Sequence, residues 1–258
     1  MSKNHGKFVW YELMTTDTAG ATAFYRKLVG WDAKDAGFTD RSYTLLLAGG
    51  TMVGGLMELP EEARKMGARP GWMGYIAVDD VDRTADRVKA AGGKIHHGPE
   101  NIPTIGRFAV GADPHGAIFV LFKGEGEEMP DAVPMDTPGH IGWRELQAGN
   151  LDSAFAFYAE LFGWTKKDAV DMGPMGVYQL FATGGNDAVG GMMTKTPDVP
   201  TPFWLYYFNV DAADAAVERI KQAGGRILLE PHEVPGGSWI VQGMDPQGAM
   251  FAVVSTKR

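Results

Sequence analysis

Residues 8–31, FVWYELMTTDTAGATAFYRKLVGW, return as residues 141–164, IGWRELQAGNLDSAFAFYAELFGW, with every matched pair 133 positions apart. Both copies contain W-x-E-L followed by F-Y-x-x-L-x-G-W, and the two copies align over the whole stretch without a gap. A fixed offset over motifs of this length is the signature of an internal repeat. The chain is therefore predicted to consist of two copies of one unit, and its function depends on what both copies build.

The composition of the 258-residue chain limits the classes of protein to consider. Hydrophobic residues at 45% and charged residues at 22% are typical of a globular protein with a large core. The net charge of −8 argues against a nucleic-acid partner. The absence of cysteine excludes disulfides and cysteine metal sites. Because the sequence has neither a signal peptide nor an apolar run of roughly 20 residues, we expect a cytoplasmic protein without a membrane partner.

The predicted elements follow the same order in both copies. In the first copy an alternating strand over 8–15 precedes a helix that Asp17 or Thr18 caps and Gly30 ends. After it we expect strands over 43–48 and 52–58, a polar connection over 60–70, a strand over 72–78 and a helix over 81–91. A short strand beginning at 94 and strands over 108–111 and 117–122 complete the copy. Strand–helix–strands thus occurs twice in each copy, which predicts four βαβββ modules. Residues 124–139, rich in Gly, Pro, Glu and Asp, are interpreted as a linker.

These motifs resemble the vicinal oxygen chelate superfamily, which contains glyoxalase I, bleomycin-resistance proteins and extradiol dioxygenases. The resemblance rests on the first strand with its acidic helix cap, on F-Y-x-x-L-x-G-W, on A-G-G after the second helix, and on D-P-x-G-A before the last strand. It covers nearly the whole chain apart from the linker. It implies an α+β fold in which the modules pair into two glyoxalase-like half-barrel domains, 1–123 and 140–258, with helices on the convex face.

Enzymes of the superfamily hold one divalent metal ion with His, Gln or Glu side chains at fixed strand positions. Carried onto this sequence, those positions are Trp10, Met73 and Val120 in the first copy and Trp143, Leu205 and Ala252 in the second. None of the six side chains has the oxygen or imidazole donor that a hard divalent ion needs. The resemblance thus leads us to expect a metal cofactor, but the residues themselves predict none at these positions.

Strand alternation predicts which side chains share the concave face with those positions. The predicted ligand-binding residues are Trp10, Glu12, Met14, Met73, Tyr75, Trp143, Glu145, Gln147 and Tyr207. The alternate positions, such as Tyr11 and Leu13, are expected to pack against helices, and Arg144 fits this layer only if it extends to solvent. Each cavity would then be apolar and aromatic with a few polar groups, as in small-molecule pockets.

Glu12 and Glu145 are the carboxylates of these predicted cavities. A buried carboxylate is costly unless it is paired, protonated or hydrogen-bonded. Each Glu could be bonded within the half-barrel and hold its modules together, contact a ligand, or serve as a general acid or base. Trp10 and Trp143 could either stack against an aromatic ligand or fill the cavity. The six histidines share no converging face, so we expect each of them in solvent or at a cap.

Three functions stay open on the sequence. The first is a protein that binds a small aromatic or carbonyl-containing molecule in an apolar cavity without the family metal. The second is an enzyme of lyase or dioxygenase type that uses Glu12, Glu145 or an atypical metal site. The third is a structural or partner-binding protein with filled cavities. The sequence identifies no catalytic residue, and it is compatible with a monomer or a homodimer.

Overall fold

The computed structural model describes residues 2–39, 41–126 and 133–258, so residues 127–132 of the predicted linker lie outside the described residues. The first repeat contains β1 (Phe8–Thr15), α1 (Thr18–Val29), β2 (Asp32–Asp35), β3 (Thr44–Ala48), β4 (Thr51–Glu58), α2 (Glu61–Lys65), β5 (Gly71–Ala77), α3 (Val81–Ala90), β6 (Lys94–Ile102), β7 (Gly106–Ala112) and β8 (Ile118–Gly124). The second repeat contains β9 (Ile141–Ala148), α4 (Leu151–Phe162), β10 (Thr165–Asp171), a 3-10 helix (Gly173–Met175), β11 (Val177–Ala182), β12 (Gly190–Thr194), β13 (Phe203–Asn209), α5 (Ala213–Gln222), β14 (Arg226–Glu233), β15 (Trp239–Met244) and β16 (Met250–Ser255).

Each repeat forms one eight-stranded sheet. The strand orders are β2-β3-β4-β1-β5-β8-β7-β6 and β10-β11-β12-β9-β13-β16-β15-β14. β1 runs parallel to β4 and β5 runs parallel to β8, whereas the hairpin-connected strands pair in antiparallel fashion. Both sheets are therefore mixed, and each contains two βαβββ modules. The predicted α+β fold of tandem glyoxalase-like domains is confirmed.

The ends of the first helix in each repeat lie where the sequence signals place them. The Asp17 carboxylate accepts a hydrogen bond from the Gly20 N–H at 2.9 Å, and Gly30 ends α1 with a φ of 85°. A φ in this left-handed region favours glycine because a side chain would be strained there. Asn150 caps α4 in the same way, through Ser153 N–H at 3.0 Å.

Three elements of the first repeat differ from the sequence prediction, and one of them is β2 (Asp32–Asp35), where the sequence predicts no strand. The stretch 60–70 contains the helix α2, which buries no residue and so carries no apolar period that could reveal it. Its acidic first turn and basic last turn complement the helix dipole instead. β6 is nine residues long rather than short, and register shifts interrupt its pairing with β7. These shifts remove the strict alternation by which a long strand is recognised.

The chain divides into two compact units, and each unit contains residues of both repeats. The first unit comprises the described residues of Met1–Trp10, Met73–Ala132 and Arg144–Trp204. The second comprises those of Tyr11–Trp72, Val133–Trp143 and Leu205–Arg258. The predicted ranges 1–123, 124–139 and 140–258 follow the sequence repeats, and as domain boundaries they stay a prediction.

In the second unit, aromatic residues of α1 and of the turn after it form hydrogen bonds in the core. The Tyr25 hydroxyl donates to Asp245 Oδ2 at 3.1 Å, and Trp72 Nε1 donates to the Tyr25 oxygen at 2.9 Å. Trp31 Nε1 donates to the Gly139 carbonyl at 2.7 Å. Tyr25 and Trp31 are buried. Their hydrogen bonds explain the Y and the final W of the repeated motif as structural residues.

The first unit contains the same arrangement with the roles of the repeats exchanged. The Tyr158 hydroxyl donates to Asp113 Oδ2 at 3.4 Å, and Trp204 Nε1 donates to the Tyr158 oxygen at 3.0 Å. Trp164 Nε1 donates to the Gly6 carbonyl at 2.6 Å. In both units, a tyrosine from one repeat is thus bonded to an aspartate from the other.

Arg144 places a charged group on the helix-facing side of β9, and its side chain is not fully buried there. The side chain is half-buried, and its Nη1 donates to the Val189 carbonyl at 3.4 Å. Its guanidinium lies 6.0 Å from the centre of the Phe8 ring.

Within the described residues, no helix is long and apolar enough to cross a bilayer.

Candidate functional site

The family metal positions of the first repeat meet in an apolar cluster of the first unit. Tyr75, Val120 and Phe122 form its buried centre, and Val9, Trp10, Met73, Phe108 and Val110 pack against them. We call this set the Trp10 cluster. Trp10, Met73 and Val120 are thus neighbours, as the resemblance implies, but they present an indole, a thioether and an isopropyl group. These side chains do not fit a divalent ion, which binds oxygen and nitrogen donors.

The second-repeat counterparts offer no donors either. Leu205 and Ala252 are fully buried, and Tyr207 pairs with Ala252 between β13 and β16. The Tyr207 hydroxyl accepts a hydrogen bond from Gln242 Nε2 at 3.0 Å. Among the described residues, no three His, Asp or Glu side chains lie close enough together to hold a metal ion.

Glu145 on β9 is buried, with 8% of its surface exposed, and both of its carboxylate oxygens accept hydrogen bonds. Gln147 Nε2 donates to Oε1 at 2.8 Å, and the Tyr178 hydroxyl donates to Oε2 at 3.1 Å. We call these three residues the Glu145 cluster. The two donors offset the cost of removing the carboxylate from water.

A glycine makes room for the phenol of the Glu145 cluster. Gly191 on β12 pairs with Glu145 on β9, and a Cβ atom at Gly191 would overlap the ring of Tyr178. The pair Gly190 and Gly191 therefore marks a place where a side chain closely approaches the backbone. Tyr178 was not among the predicted site residues. Its match to Tyr43 in the other repeat, together with the Gly-Gly pair on the neighbouring strand, is the signal that could have revealed it.

The first repeat contains a matching set in the second unit, Glu12, Gly55 and Tyr43, which we call the Glu12 cluster. Glu12 is 3% exposed and pairs with Gly55 between β1 and β4. The Tyr43 hydroxyl lies nearest to the position that a Gly55 Cβ would occupy. Met14 stands where the second repeat has Gln147, so this position offers no amide donor to Glu12.

The remaining predicted positions follow the strand alternation. Tyr11 packs edge-on against Tyr206 at 5.2 Å between ring centres, and Leu13 is fully buried. Trp10, Met14, Met73, Trp143 and Gln147 are half-buried, whereas Tyr75 and Tyr207 are buried. The structure thus places both carboxylates inside the protein, and the assignment of these residues to ligand binding stays a prediction.

His5 lies at a helix end rather than in solvent, because its Nε2 is 3.3 Å from the carbonyl oxygen of Leu161 in the last turn of α4. Its side chain is only 7% exposed, and its Nδ1 lies 3.6 Å from Asp79 Oδ2. Trp164 bonds to the neighbouring Gly6 carbonyl and holds the leading segment in the first unit. His115 instead lies in an exposed turn, with Nε2 2.8 Å from Ser153 Oγ.

Comparison with known proteins adds to this geometry. The model of the Glyoxalase/Bleomycin resistance protein/Dioxygenase superfamily matches residues 7–121 and again residues 137–253. CFP32 of Mycobacterium tuberculosis, a protein named as a candidate glyoxylase, is 32% identical over 247 residues, covering 95% of this chain and 93% of its own. The anthracycline biosynthesis protein DnrV of Streptomyces peucetius is 32% identical over 269 residues, covering 98% and 94%. The Mn(II)-bound glyoxalase of Novosphingobium aromaticivorans shares the fold, with a TM-score of 0.61, 18% identity and coverage of 97% and 81%.

Proposed function

The chain belongs to the glyoxalase/bleomycin resistance protein/dioxygenase superfamily, and from this premise we propose that it binds a small aromatic or carbonyl-containing molecule without the family metal. The observation that carries the proposal is the Glu145 cluster. A buried carboxylate that is oriented by a phenol and an amide is a directional acceptor for a hydroxyl or amino group of a ligand. Small-molecule sites combine a few such groups with apolar walls.

Apolar side chains next to the Glu145 cluster support this proposal. Met193 is buried and pairs with Gln147 between β12 and β9, so its thioether lies on the same strand face as the carboxylate. Methionine adapts its shape to irregular ligands and makes favourable contacts with aromatic rings. The name of DnrV, which refers to the biosynthesis of anthracyclines, is in keeping with a role in handling small molecules.

The proposal is tested by a thermal-shift screen of catechols, quinones and aromatic 2-oxo acids, because a ligand of the folded state raises the melting temperature. A hit should lose about 1–3 kcal/mol of affinity in Glu145→Gln, the scale of a hydrogen bond to a charged group. The exposed Glu218→Gln serves as the control with the same change of charge. If Glu145→Gln lowers stability but leaves the affinity of folded molecules unchanged, the carboxylate is structural and the proposal is wrong.

The same screen separates the alternative functions. An enzyme of lyase or dioxygenase type would convert a hit, which chromatography of the incubated mixture detects, and its turnover would depend on Glu145 or Glu12. A structural or partner-binding protein with filled cavities would give no melting shift with any compound. The binding function predicts a shift without conversion.

A further inference from the structure

A cleft of about 840 Å³ opens at the end of β4 in the first repeat and lies wholly within the second unit. This volume lies inside the range of roughly 300–1,000 Å³ that is typical of small-molecule sites. Met57 and Leu59 supply apolar wall, and Arg41, Arg64 and Lys65 supply positive charge. The cleft is therefore of a size and composition that a small organic molecule could fill.

The cleft continues the strand face of the Glu12 cluster. Met57 pairs with Met14 between β4 and β1, two residues beyond the pair of Gly55 and Glu12. Two residues of a strand span about 7 Å and return to the same face. Leu59, at the far end, is 4% exposed. The apolar wall of the cleft is thus a fixed part of the sheet and the turn that follows it.

The charge of the cleft has the opposite sign to that of the whole chain. Three cations, Arg41, Arg64 and Lys65, and two carboxylates, Glu58 and Glu61, line it, which gives 3 − 2 = +1, against −8 for the chain. Lys65 forms an exposed ion pair with Glu61 at 3.0 Å, which contributes little to stability. The Arg41 guanidinium lies 5.0 Å over the Phe38 ring, a contact that orients it.

The second repeat shows that the fold does not require these cations. Because Tyr178 corresponds to Tyr43, the positions of Arg41 and Ser42 are held there by Gly176 and Val177. The described residues 195–202, between β12 and β13, contain no helix equivalent to α2, and their one cation, Lys195, donates to the Val199 carbonyl at 2.6 Å. The second repeat nevertheless builds the same sheet. The sheet therefore does not require the cations of the first repeat, although Arg64 and Lys65 also complement the dipole of α2.

We propose that this cleft binds a small organic anion. Its carboxylate, sulfonate or phosphate group is held by Arg41 and Arg64, and its apolar body lies on Met57 and Leu59. Guanidinium groups suit this task because their planar N–H pairs match the oxygens of carboxylates and phosphates. The site is separate from the Glu145 cluster, which lies in the other unit, so the two proposals stand or fall independently.

The probe for this site is 2-naphthoate, with 2-naphthamide as the uncharged molecule of the same shape. NMR of methionine methyl groups on the full chain should show a shift at Met57 with 2-naphthoate and none at Met57 with 2-naphthamide. A shift at Met193, its counterpart in the second repeat, reports the Glu145 cluster instead, so calorimetry is read together with the Met57 signal. Arg41→Gln and Arg64→Gln should each weaken binding by about tenfold or more, the scale of a charge-assisted hydrogen bond. Arg83→Gln, an exposed arginine on α3, removes the same charge and should leave binding unchanged.

Four results would overturn the proposal. If 2-naphthamide binds in the cleft as tightly as 2-naphthoate, the cleft does not recognise the negative charge. If Arg83→Gln weakens binding as much as Arg41→Gln and Arg64→Gln do, the effect comes from the net charge of the protein and not from the cleft. A methyl shift at Met193 instead of Met57 places the probe elsewhere. Absence of both heat and a Met57 shift with millimolar 2-naphthoate, and again with phenyl phosphate, shows that the cleft holds no organic anion. If Arg41→Gln lowers the melting temperature, the affinity of Arg64→Gln, a change at an exposed residue, decides whether the cations bind the anion.

Discussion

Tyr25 of the first repeat donates its phenolic hydrogen to Asp245 of the second repeat over 3.1 Å, while the indole of Trp72 donates to the same phenolic oxygen. Burial, and next to it the charge of Asp245, raise the pKa of Tyr25 well above its ordinary value, so the phenol stays protonated as a donor. The reciprocal bond joins Tyr158 to Asp113. In each compact unit, the tyrosine of one repeat is thus bonded to the aspartate of the other repeat.

Removing the Tyr25 hydroxyl should destabilise the protein. Tyr25→Phe leaves the Trp72 N–H and one Asp245 oxygen without this partner, and we expect a loss of about 1–3 kcal/mol in the free energy of unfolding. Urea unfolding measures it. In a double-mutant cycle with Asp245→Asn the two losses should not add, because both remove one interaction. Strict additivity would show that the contact is not energetically coupled.

Asp245 should give the protein an unusual dependence on pH. Burial raises the pKa of its carboxyl, although hydrogen bonds from Ala249 and Tyr25 oppose the shift. Between the ordinary pKa and the raised one, the folded state keeps a proton that the unfolded chain has lost, so this group contributes stability that falls as pH rises. Unfolding measured from pH 3.5 upward should show wild type losing stability relative to Asp245→Asn. The opposite trend would contradict the raised pKa.

Adding a methyl group at Gly191 should separate Tyr178 from Glu145. Gly191→Ala places a Cβ atom where the Tyr178 ring lies, and overpacking of this kind costs about 1–3 kcal/mol. Any ligand that depends on the Glu145 cluster should lose affinity in the same variant. Gly185→Ala is the control, because nothing lies within 4 Å of the added atom. A Gly191→Ala protein with unchanged stability and binding would show that the ring moves aside at no cost.

Divalent metal ions should not bind at the family positions. Trp10, Met73 and Val120 lie together in the Trp10 cluster and carry no hard donor. Protein purified without chelator should contain less than one equivalent of zinc, manganese, iron or nickel by elemental analysis, and added metal should not raise its melting temperature. Stoichiometric metal that survives dialysis, and that is lost in Glu12→Gln or Glu145→Gln, would reveal an atypical site.

The sequence predicted the local structure of the modules because their signals are local. Asp17 and Gly30 fix the ends of α1, and strand alternation assigned Tyr11 and Leu13 to the packed face. The apolar character of the family metal positions could be read off in the same way, residue by residue.

The interleaving of the repeats could not be predicted in this way. Both copies carry the same tyrosine and the same aspartate, so Tyr25 could bond Asp113 or Asp245 equally well on sequence alone. The burial of His5 was not foreseen for a similar reason, since its neighbour Gly6 bonds to a tryptophan 159 positions later in the chain than His5 (164 − 5). The match of Tyr178 to Tyr43 marks this residue in the sequence, but its position beside Glu145 depends on the register of β12 and β9, which sequence periodicity does not specify.

The bond between Tyr25 and Asp245 joins residues 220 positions apart, and this separation bears on how the protein is made. Synthesis proceeds from the N-terminus at roughly 5–20 residues per second, so α1 leaves the ribosome many seconds before its acceptor exists. During that interval the aromatic face of α1 lacks its final partners, and apolar surface exposed in this way promotes aggregation. The nascent first repeat is therefore expected to depend on chaperones until the last strands of the second repeat have emerged.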